Sequence, residues 1–479
     1  MSVPATAFRS DALSGAFTDW MRTRRWFRAT ASDPALTRVG VWVLPDPKHQ
    51  VAIEVHLVHD ATTDVLYQVP LTARTAPLLG GEDALVEQLP DGVSVYDGPH
   101  DPAFARALLT MILTGGRAGD VEPAEGGSPA PSDGRTSAVG RHGHVDTAVR
   151  VVGSHVLRGE QSNTSIIIET VHPNGKPATP VICKVFRALS PGDNPDVVIQ
   201  SALSDAGSRF VPRTIGHVEG AWADPATASR VEGSLAFAQE FIPDVEDAWR
   251  VALRAAEHGE SFRDAASALG EATAAIHVEL ARLFDTRHAS ASDVEAVLTS
   301  MRTRAAQAFA DAPALAGERD AVAAVQRAAE DAAWPELQRI HGDYHLGQVL
   351  AVPGRGWVVL DFEGEPLRPI AERSEPDLAL RDVAGMLRSF DYVAGSISSA
   401  EQATAEQSAA ARAWADEARA AFLEGYAARS GLDLRAQQVL LDALELDKAL
   451  YEVSYEAQNR PTWLPIPATA VRTLAHRAR

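Results

Sequence analysis

Two short hydrophobic segments, residues 349–350 and 357–360, stand on either side of a Pro-Gly turn, and this pattern predicts a β-hairpin. Asp343 lies on the polar loop that leads into the hairpin. Gln348 stands just before the first strand, and Asp361 stands just after the second. Because a hairpin brings its two ends together, we expect Gln348 and Asp361 to be neighbours, with Asp343 close by.

An acid on a loop, an amide five residues later and a second acid across a hairpin are typical of phosphoryl-transfer centres. We predict that Asp343 is the catalytic base, which orients and deprotonates the acceptor hydroxyl. Gln348 and Asp361 are predicted to hold Mg²⁺ on the nucleotide phosphates, and Glu363 is a further candidate metal ligand. A lone His-Gly-Asp triplet is an ordinary loop sequence, so the prediction depends on the complete ordered set.

The same residues carry a resemblance to a known family. His-Gly-Asp-x-His-Leu-Gly-Gln at 341–348 and Asp-Phe-Glu-Gly-Glu-Pro at 361–366 resemble the motifs of aminoglycoside-phosphotransferase-like kinases, and more closely those of actinobacterial maltokinases. The similarity continues through residues 380–392 and 455–467. It implies an α+β fold of the bilobal eukaryotic-protein-kinase type with an N-terminal maltokinase-type cap domain, and ATP and Mg²⁺ as cofactors.

Composition limits the class of protein. A chain of 479 residues with 46% hydrophobic and 23% charged residues is globular and long enough for two or three domains. The net charge of -20 argues against a nucleic-acid partner. No apolar run has the length of a membrane span, no secretory signal precedes the first domain, and the single cysteine, Cys183, fits a reducing compartment. We therefore expect a cytoplasmic protein with no membrane partner.

The N-terminal quarter reads as a small domain. Alternating apolar residues predict antiparallel strands near 39–43, 51–58 and 65–71, followed by a helix over about 101–114. The arrangement resembles a maltokinase cap domain, which we assign to residues 1–114. Residues 115–144 are rich in Gly, Pro and Ser and are predicted to form a flexible linker or mobile excursion.

Residues 145–243 are predicted to form a five-stranded nucleotide-binding lobe. A polar loop with Ser162, Asn163 and Thr164 is the candidate phosphate-binding loop. Lys184 lies in the middle of an apolar strand, where an ammonium group is costly unless an anion meets it, so we predict a phosphate contact. The following helix offers Asp196 but no Glu as its partner, which leaves that partner open.

The end of this lobe resembles the hinge of kinases. The strand over 236–243 ends at a proline, and its residues Gln239, Glu240 and Phe241 are the candidates for contact with adenine. Residues 244–479 are dominated by Ala, Leu, Arg and Glu at helical spacing and are assigned to a mostly helical C-terminal lobe that carries the catalytic loop and the sugar site.

The acceptor site is the least constrained. Sugar sites combine an aromatic platform with polar groups, and the resemblance suggests that Asp343 is joined there by residues of the C-terminal half. These candidate sugar ligands are His345, Asp382, Tyr455, Glu456, Gln458 and Trp463. Buried core is the rival interpretation of the late cluster, and a helix N-cap or a loop-steadying acid is the rival for Asp382.

The family offers two acceptors, maltose and glucosamine. Tyr344 and Gln458 depart from the maltokinase pattern, where Leu and Arg are usual, and loss of a cation suits an ammonium-bearing sugar. We therefore predict glucosamine as acceptor, giving glucosamine 6-phosphate, with maltose 1-phosphate as the alternative. A pseudokinase or scaffold is the alternative from another class. A monomer and association with other enzymes of sugar metabolism both remain open.

Overall fold

The computed structural model describes most of the chain, and the described residues divide into two compact units. The first unit lies within Met1–Ser201 and Pro212–Pro243, and the second within Ala202–Val211 and Asp244–Arg479. The structure describes residues 14–28, 33–89, 92–119, 136–143, 148–157, 162–365, 370–400 and 403–477.

The first unit begins with a helix and a meander of antiparallel strands. Helix α1 is Gly15–Arg22. The sheet has the order β1-β2-β3-β5-β4, and β11 pairs with the first half of β3 while β5 pairs with its second half. Its strands are β1 (Leu36–Val43), β2 (Ala52–Asp60), β3 (Val65–Arg74), β4 (Leu85–Gln88), β5 (Ser94–Asp97) and β11 (Ala188–Leu189).

Helix α2, Pro102–Thr114, follows this sheet and has well-defined ends. Asp101 caps its N-terminus by accepting the Ala103 N–H, and Pro102 occupies the first turn. Gly115 ends the helix with φ of +63°, a conformation that suits glycine. The helix buries nine apolar residues, so it serves as a core element of the unit.

A second sheet in the same unit has seven strands in the order β6-β7-β12-β13-β10-β9-β8, and helix α3 (Pro195–Asp205) follows β11 in the chain. The strands are β6 (Arg117–Gly119), β7 (Ser137–His142), β8 (Arg150–Val156), β9 (Asn163–Val171), β10 (Val181–Phe186), β12 (Thr214–Ala223) and β13 (Arg230–Glu240).

Both sheets and α2 share one hydrophobic core, which unites Trp42 and Val55 of the first sheet, Phe104 of α2, and Ile166 and Phe237 of the second. The cap and the nucleotide sheet are therefore packed together within one unit, whereas the sequence suggested separate domains.

Residues 145–243 supply five strands of this sheet, β8, β9, β10, β12 and β13. β6 and β7 lie inside the range 115–144, where the sequence predicted a linker, and they add two more strands. Their sequences are short and rich in small residues, so their periodicity is weak. Pairing with β12 through residues 216–221 holds β7 in place. Residues 120–135 and 144 of the predicted linker lie outside the described residues.

The second unit is mostly helical and carries a three-stranded sheet, β14-β15-β16, with β14 at Glu246–Asp247, β15 at Val349–Val352 and β16 at Gly356–Val359. Capping boxes at Ser290 and Thr404 start two of its long helices. The helices are α4 (Ala248–His258), α5 (Arg263–Leu283), α6 (Ala291–Asp311), α7 (Arg319–Glu330), α8 (Ile370–Arg373), α9 (Leu380–Ser398), α10 (Ala405–Ser430), α11 (Gln438–Asn459) and α12 (Pro465–Arg477).

The α+β class and the kinase-type arrangement of a strand-rich unit followed by a helical one agree with the prediction. Within the described part of the chain, no helix combines the length and apolarity needed to cross a bilayer.

Candidate active site

The predicted hairpin is present, and it brings Gln348 and Asp361 together. β15 and β16 pair from Val349↔Val359 to Val352↔Gly356, and the Leu360 N–H donates to the Gln348 carbonyl at 2.9 Å. The Gln348 side-chain Nε2 then donates to Oδ2 of Asp361 at 3.0 Å. Hairpin pairing alone, which the sequence predicted, accounts for this contact.

Asp361 occupies an unusual backbone conformation. Its φ is +65°, in the left-handed region that Asp and Asn tolerate better than other non-glycine residues. An oxygen of Asp361 and an oxygen of Glu363 lie within 4.8 Å of each other. The end of the hairpin thus presents two carboxylates and an amide, an oxygen-rich set of the kind that hard cations prefer.

Asp343 lies on the loop before the hairpin, and its shape depends on the preceding glycine. Gly342 has φ of +84°, and a Cβ atom there would meet Cα of Gly364 at 3.1 Å. A side chain at this position would therefore strain the backbone and crowd the neighbouring segment. The Asp343 side chain is partly exposed, as a group that meets substrate must be.

A lysine from a distant helix contacts this acid. Nζ of Lys448, on α11, lies 3.3 Å from Oδ1 of Asp343 and 3.0 Å from Oε1 of Glu365. Burial alone would lower the pKa of Lys448, but the carboxylates of Glu365 and Asp343 outweigh burial and raise it. Lys448 was not among the site residues predicted from the sequence, although it is the single cation in the otherwise apolar and acidic stretch of residues 440–450.

Asp382 lies beneath the loop that carries Asp343. It is 1% exposed, and it accepts the backbone N–H groups of His341 at 2.8 Å and Gly342 at 2.9 Å. Nε2 of His277 lies 3.0 Å from the same carboxylate. Burial raises the pKa of Asp382, but the hydrogen bonds and charge of its neighbours lower it overall. These contacts agree with the interpretation of Asp382 as an acid that holds the loop in place, because both of its carboxylate oxygens already accept hydrogen bonds from the loop.

His345 caps the short 3₁₀ turn before β15. Its Nδ1 accepts the Gly347 N–H at 3.1 Å, and acceptance requires an unprotonated Nδ1. Burial lowers the pKa of His345, which favours the neutral ring. The contact gives His345 a role in shaping the loop that holds Gln348, and its predicted contact with the sugar stays a prediction.

A cavity of about 400 Å³ opens beside Asp343 within the second unit. Lys448 and Tyr451 line it from α11, and Arg381 and Asp382 line it from α9. Its charged lining consists of eight acids and four cations: Asp293, Asp343, Glu365, Glu372, Glu375, Asp377, Asp382 and Asp447, with Arg287, Arg304, Arg381 and Lys448. The cavity is therefore acidic overall.

The late aromatic and polar residues do not join this cavity, as far as the described residues show. Tyr455 is 44% exposed, Gln458 reaches Asp311 at 3.5 Å, and Trp463 stacks on Tyr392 with ring centroids 6.2 Å apart. Glu456 is buried and paired with Arg460 at 2.6 Å. Tyr455 nevertheless stacks on Tyr451, which does line the cavity, with ring centroids 6.5 Å apart.

In the first unit, Lys184 finds the partner that the sequence left open. Its Nζ lies 3.0 Å from Oδ2 of Asp196, a residue of α3. An aspartate thus takes the place that a glutamate usually holds in kinases, and the short side chain suffices because α3 begins close to β10.

The register of β9 and β10 shows which of the candidate phosphate ligands lie on the same face of the sheet as Lys184. β9 pairs with β10 so that Phe186 faces Asn163, Val185 faces Thr164 and Lys184 faces Ser165. Since side chains alternate along a strand, Asn163 shares a face with Lys184, and Thr164 points to the opposite face. The Thr164 hydroxyl accepts from Nε of Arg187 at 2.8 Å. Ser162 is exposed just before the strand.

The strand end predicted to contact adenine is hydrogen-bonded within the first unit. The Glu240 N–H donates to the Arg213 carbonyl at 2.8 Å, and the Phe241 N–H donates to the Pro180 carbonyl at 2.9 Å. The Gln239 side chain accepts from Gln200. These N–H groups are therefore engaged, and adenine recognition by this segment would rely on other backbone groups.

The maltokinase N-terminal cap domain family matches residues 20–101. A glucosamine kinase of Mycolicibacterium smegmatis is 31% identical over 373 residues, which cover 74% of this chain and 88% of the relative. A glucosamine kinase of Streptacidiphilus jiangxiensis is 28% identical over 347 residues, which cover 68% of this chain and 74% of the relative.

Two solved structures share the fold. A glucosamine kinase in complex with glucosamine, ADP and inorganic phosphate has a TM-score of 0.62 at 21% identity, with 95% of this chain and 98% of that chain covered. A second glucosamine kinase structure, crystal form A, has a TM-score of 0.65 at 21% identity, with 96% and 99% covered.

The strand-rich unit with its paired lysine, together with the acid–amide–acid hairpin, defines an ATP-dependent phosphotransferase of the protein-kinase-like class. Within that class, the chain belongs to the maltokinase-like glucosamine kinase family.

Proposed function

We propose that this protein transfers the γ-phosphoryl group of ATP to the 6-hydroxyl of glucosamine. The observation that carries the choice of acceptor is the acidic cavity beside Asp343, in which eight carboxylates outnumber four cations. An ammonium-bearing sugar is favoured in such a cavity, and a charge-assisted hydrogen bond to it contributes about 1.5–3 kcal/mol. The similarity to two glucosamine kinases supports the same acceptor.

In the proposed reaction, Asp343 accepts the proton of the attacking hydroxyl as the sugar oxygen bonds to the γ-phosphorus. The bond between that phosphorus and the bridging oxygen breaks, and ADP leaves with its electron pair. Asp343 must be oriented before the step. Lys448 supports this orientation, because its ammonium group contacts Oδ1 from the side of α11.

The first unit supplies the proposed nucleotide contacts. Lys184, oriented by Asp196, would meet the α- and β-phosphates, and Asn163 shares its face of the sheet. Ser162 is exposed just before β9 begins. The N–H groups of Glu240 and Phe241 are hydrogen-bonded within the first unit, so a contact of this segment with adenine would use its other backbone groups.

The residues at the hairpin fit a magnesium ion. Gln348, Asp361 and Glu363 offer hard oxygen ligands, and the two carboxylates have oxygens within 4.8 Å of each other. We propose that these three residues hold Mg²⁺, which when bound would neutralise charge on the phosphates. Glu365 is engaged by Lys448 and is outside the proposed set.

The size of the cavity is compatible with maltose, the second candidate acceptor. Its volume of about 400 Å³ falls in the range of about 300–1,000 Å³ that holds drug-sized ligands, so a disaccharide is not excluded by volume alone. The lining charge is the discriminating property, since maltose has no cation to neutralise it.

Coupled measurement of ADP release separates these acceptors. We expect turnover on glucosamine, with much weaker turnover on glucose, N-acetylglucosamine and maltose, because a site built for a polar partner rejects analogues that lack it. Efficient maltose phosphorylation without glucosamine turnover would overturn the acceptor assignment and leave the kinase class intact.

Use of ATP and the single buried cysteine are consistent with a cytoplasmic enzyme.

A further inference from the structure

A buried arginine of α9 pairs with an acid on the helix that carries Lys448. Arg388 is 1% exposed, and its Nε and Nη2 donate to Oε2 of Glu452 on α11, at 2.9 and 2.8 Å. Its Nη1 donates to Oδ2 of Asp391 at 2.5 Å. Glu452 is itself only 9% exposed, so both charges of the pair are largely removed from water. The proposed reaction uses neither residue.

Glu452 is also a neighbour of Lys448. The two residues are four positions apart on α11, and residues at this spacing lie next to each other on one face of a helix. Burial lowers the pKa of Lys448, but the charges of Glu365, Asp343 and Glu452 together raise it. The ammonium group contacts two of these three carboxylates, those of Asp343 and Glu365.

The arginine explains why the third carboxylate does not compete for this ammonium group. Burial raises the pKa of Glu452, and the charge of Arg388 opposes this effect more strongly than the charge of Lys448 does. A buried, ionised acid needs a cation, and without Arg388 the cation left to stabilise Glu452 is Lys448. Because the lysine chain is flexible, an ammonium group that turns toward Glu452 weakens its contact with Asp343.

The pair also joins α9 to α11, and α9 holds the loop that carries the proposed base. Ser389, next to Arg388 in the chain, accepts the Leu346 N–H at 3.1 Å. A Cβ atom at Gly385 would meet the Tyr344 carbonyl oxygen at 2.5 Å, so the helix and the loop are in close contact. An experiment must therefore separate the charge of Arg388 from its part in helix packing.

We propose that Arg388 is a positioning residue of the active site, because it neutralises Glu452 and so leaves the ammonium group of Lys448 to Asp343. This inference rests on the proposed role of Asp343 as the base. Arg388 contacts neither sugar nor nucleotide in this account. It acts on the base through Glu452 and Lys448.

The test is a double-mutant cycle in the full-length protein, with kcat and KM measured by ADP release on glucosamine. Arg388→Met leaves Glu452 without its arginine, and we expect kcat to fall about tenfold, as for other supporting contacts. Glu452→Gln removes the competing charge and should keep kcat close to wild type. The double variant Arg388→Met/Glu452→Gln should regain most of the lost kcat.

The recovery in the double variant is the result that packing does not explain, because a second change in a purely structural pair restores no contact. KM for ATP should stay at the wild-type value in all three variants, since no nucleotide contact is proposed for either residue. A double variant with kcat no higher than that of Arg388→Met would overturn the inference.

Arg419 of α10 offers a matched control. It is buried, and its ion pair with Glu445 at 2.7 Å joins α10 to α11 in the same way. Arg477 also contacts Glu445, at 3.2 Å, so Arg419→Met leaves that acid a cation. Arg419→Met should lower the melting temperature and leave kcat unchanged. An equal loss of kcat in this control would reduce the effect to helix packing and overturn the inference.

Asp343→Asn separates the inference from the function on which it rests. Loss of turnover in Asp343→Asn, with wild-type kcat in a folded Arg388→Met variant, overturns the positioning role alone. Wild-type turnover in Asp343→Asn overturns both. Should Arg388→Met fail to fold, Arg388→Gln takes its place in the cycle, because it removes the same charge and keeps a hydrogen-bond donor for Glu452.

Discussion

The ammonium nitrogen of Lys448 lies 3.3 Å from a carboxylate oxygen of Asp343, although the two residues are 105 positions apart in the chain. Lys448 is held from the other side by Glu365 at 3.0 Å and lies 5.0 Å from the centre of the Tyr451 ring. The proposed base is therefore oriented by a helix that follows it late in the sequence.

Replacement of this lysine by an apolar side chain should slow the reaction. We expect Lys448→Met to lower kcat about 10- to 100-fold, because Asp343 loses the cation that orients it. The exposed Lys176→Met, which removes the same charge elsewhere, is the control and should retain wild-type kcat. Wild-type turnover in a folded Lys448→Met variant would show that the contact has no catalytic role.

The raised pKa of Lys448 also predicts how this effect depends on pH. A lysine whose folded pKa exceeds its ordinary value of 10.5 stabilises the fold fully below that value and loses this contribution only as pH rises through the folded pKa. The ratio of wild-type to Lys448→Met kcat should therefore stay constant between about pH 6 and pH 9. A ratio that changes steeply within this range would contradict the assignment of a permanently charged Lys448.

Asp382→Asn should weaken both the fold and catalysis. An amide keeps one acceptor oxygen, so one of the buried N–H groups of the loop loses its partner at about 1–3 kcal/mol of unfolding free energy. We expect kcat to fall about 10- to 100-fold because the loop that carries Asp343 loosens. Chemical denaturation and ADP release measure the two effects, and the exposed Asp416→Asn is the control.

The pH dependence of this stability has a definite sign. The pKa of Asp382 is lowered from 3.8 in the fold, so its stabilising contribution is present above that pH and is lost as pH falls through the lower folded pKa. The difference in unfolding free energy between wild type and Asp382→Asn should shrink in this acidic window. A difference that grows as the solution becomes more acidic would contradict it.

Asp343→Asn should leave the melting temperature close to that of wild type, because the side chain is partly exposed and lies on a loop. Turnover should fall by about two to four orders of magnitude, the usual contribution of general-base catalysis. Nucleotide binding should persist. Retention of wild-type turnover would exclude Asp343 as the base.

Asp361→Asn should abolish the effect of Mg²⁺ on ATP affinity, since the variant lacks the negative charge that the metal requires. Asparagine tolerates the left-handed φ of +65° at this position, so stability should be retained. Asp361→Ala should lose the metal effect and also some stability, because alanine is strained at that φ. Calorimetry of ATP with and without Mg²⁺ tests the metal, and an unchanged magnesium dependence would remove Asp361 from the site.

Local patterns were sufficient to predict the hairpin β15–β16. Two apolar segments around a Pro-Gly turn determine a hairpin, and the hairpin by itself brings Gln348 to Asp361. The α+β class was predictable for the same reason, since strand and helix periodicity are properties of short segments.

Local patterns failed where pairing depends on distant strands. β6 and β7 lie in a stretch rich in small and polar residues, and their place in the sheet comes from β12, about 80 positions after β7 begins. The sugar contacts predicted at the end of α11 stay predictions. The residues of α11 that line the cavity beside Asp343 are Leu444, Asp447, Lys448 and Tyr451.

By itself the sequence determined the order of the chemical groups along the chain: a lysine in a strand, the acid proposed as base, and the amide and acids of the hairpin. Each group lies in a short segment whose shape depends on local hydrogen bonds. Tertiary structure decided which residues those groups contact. Lys184 pairs with Asp196, Asp343 pairs with Lys448, and the backbone of the loop before Asp343 donates to Asp382. The physical reason is that buried charges need partners wherever the packing of distant elements brings them, and spacing along the chain does not record that packing.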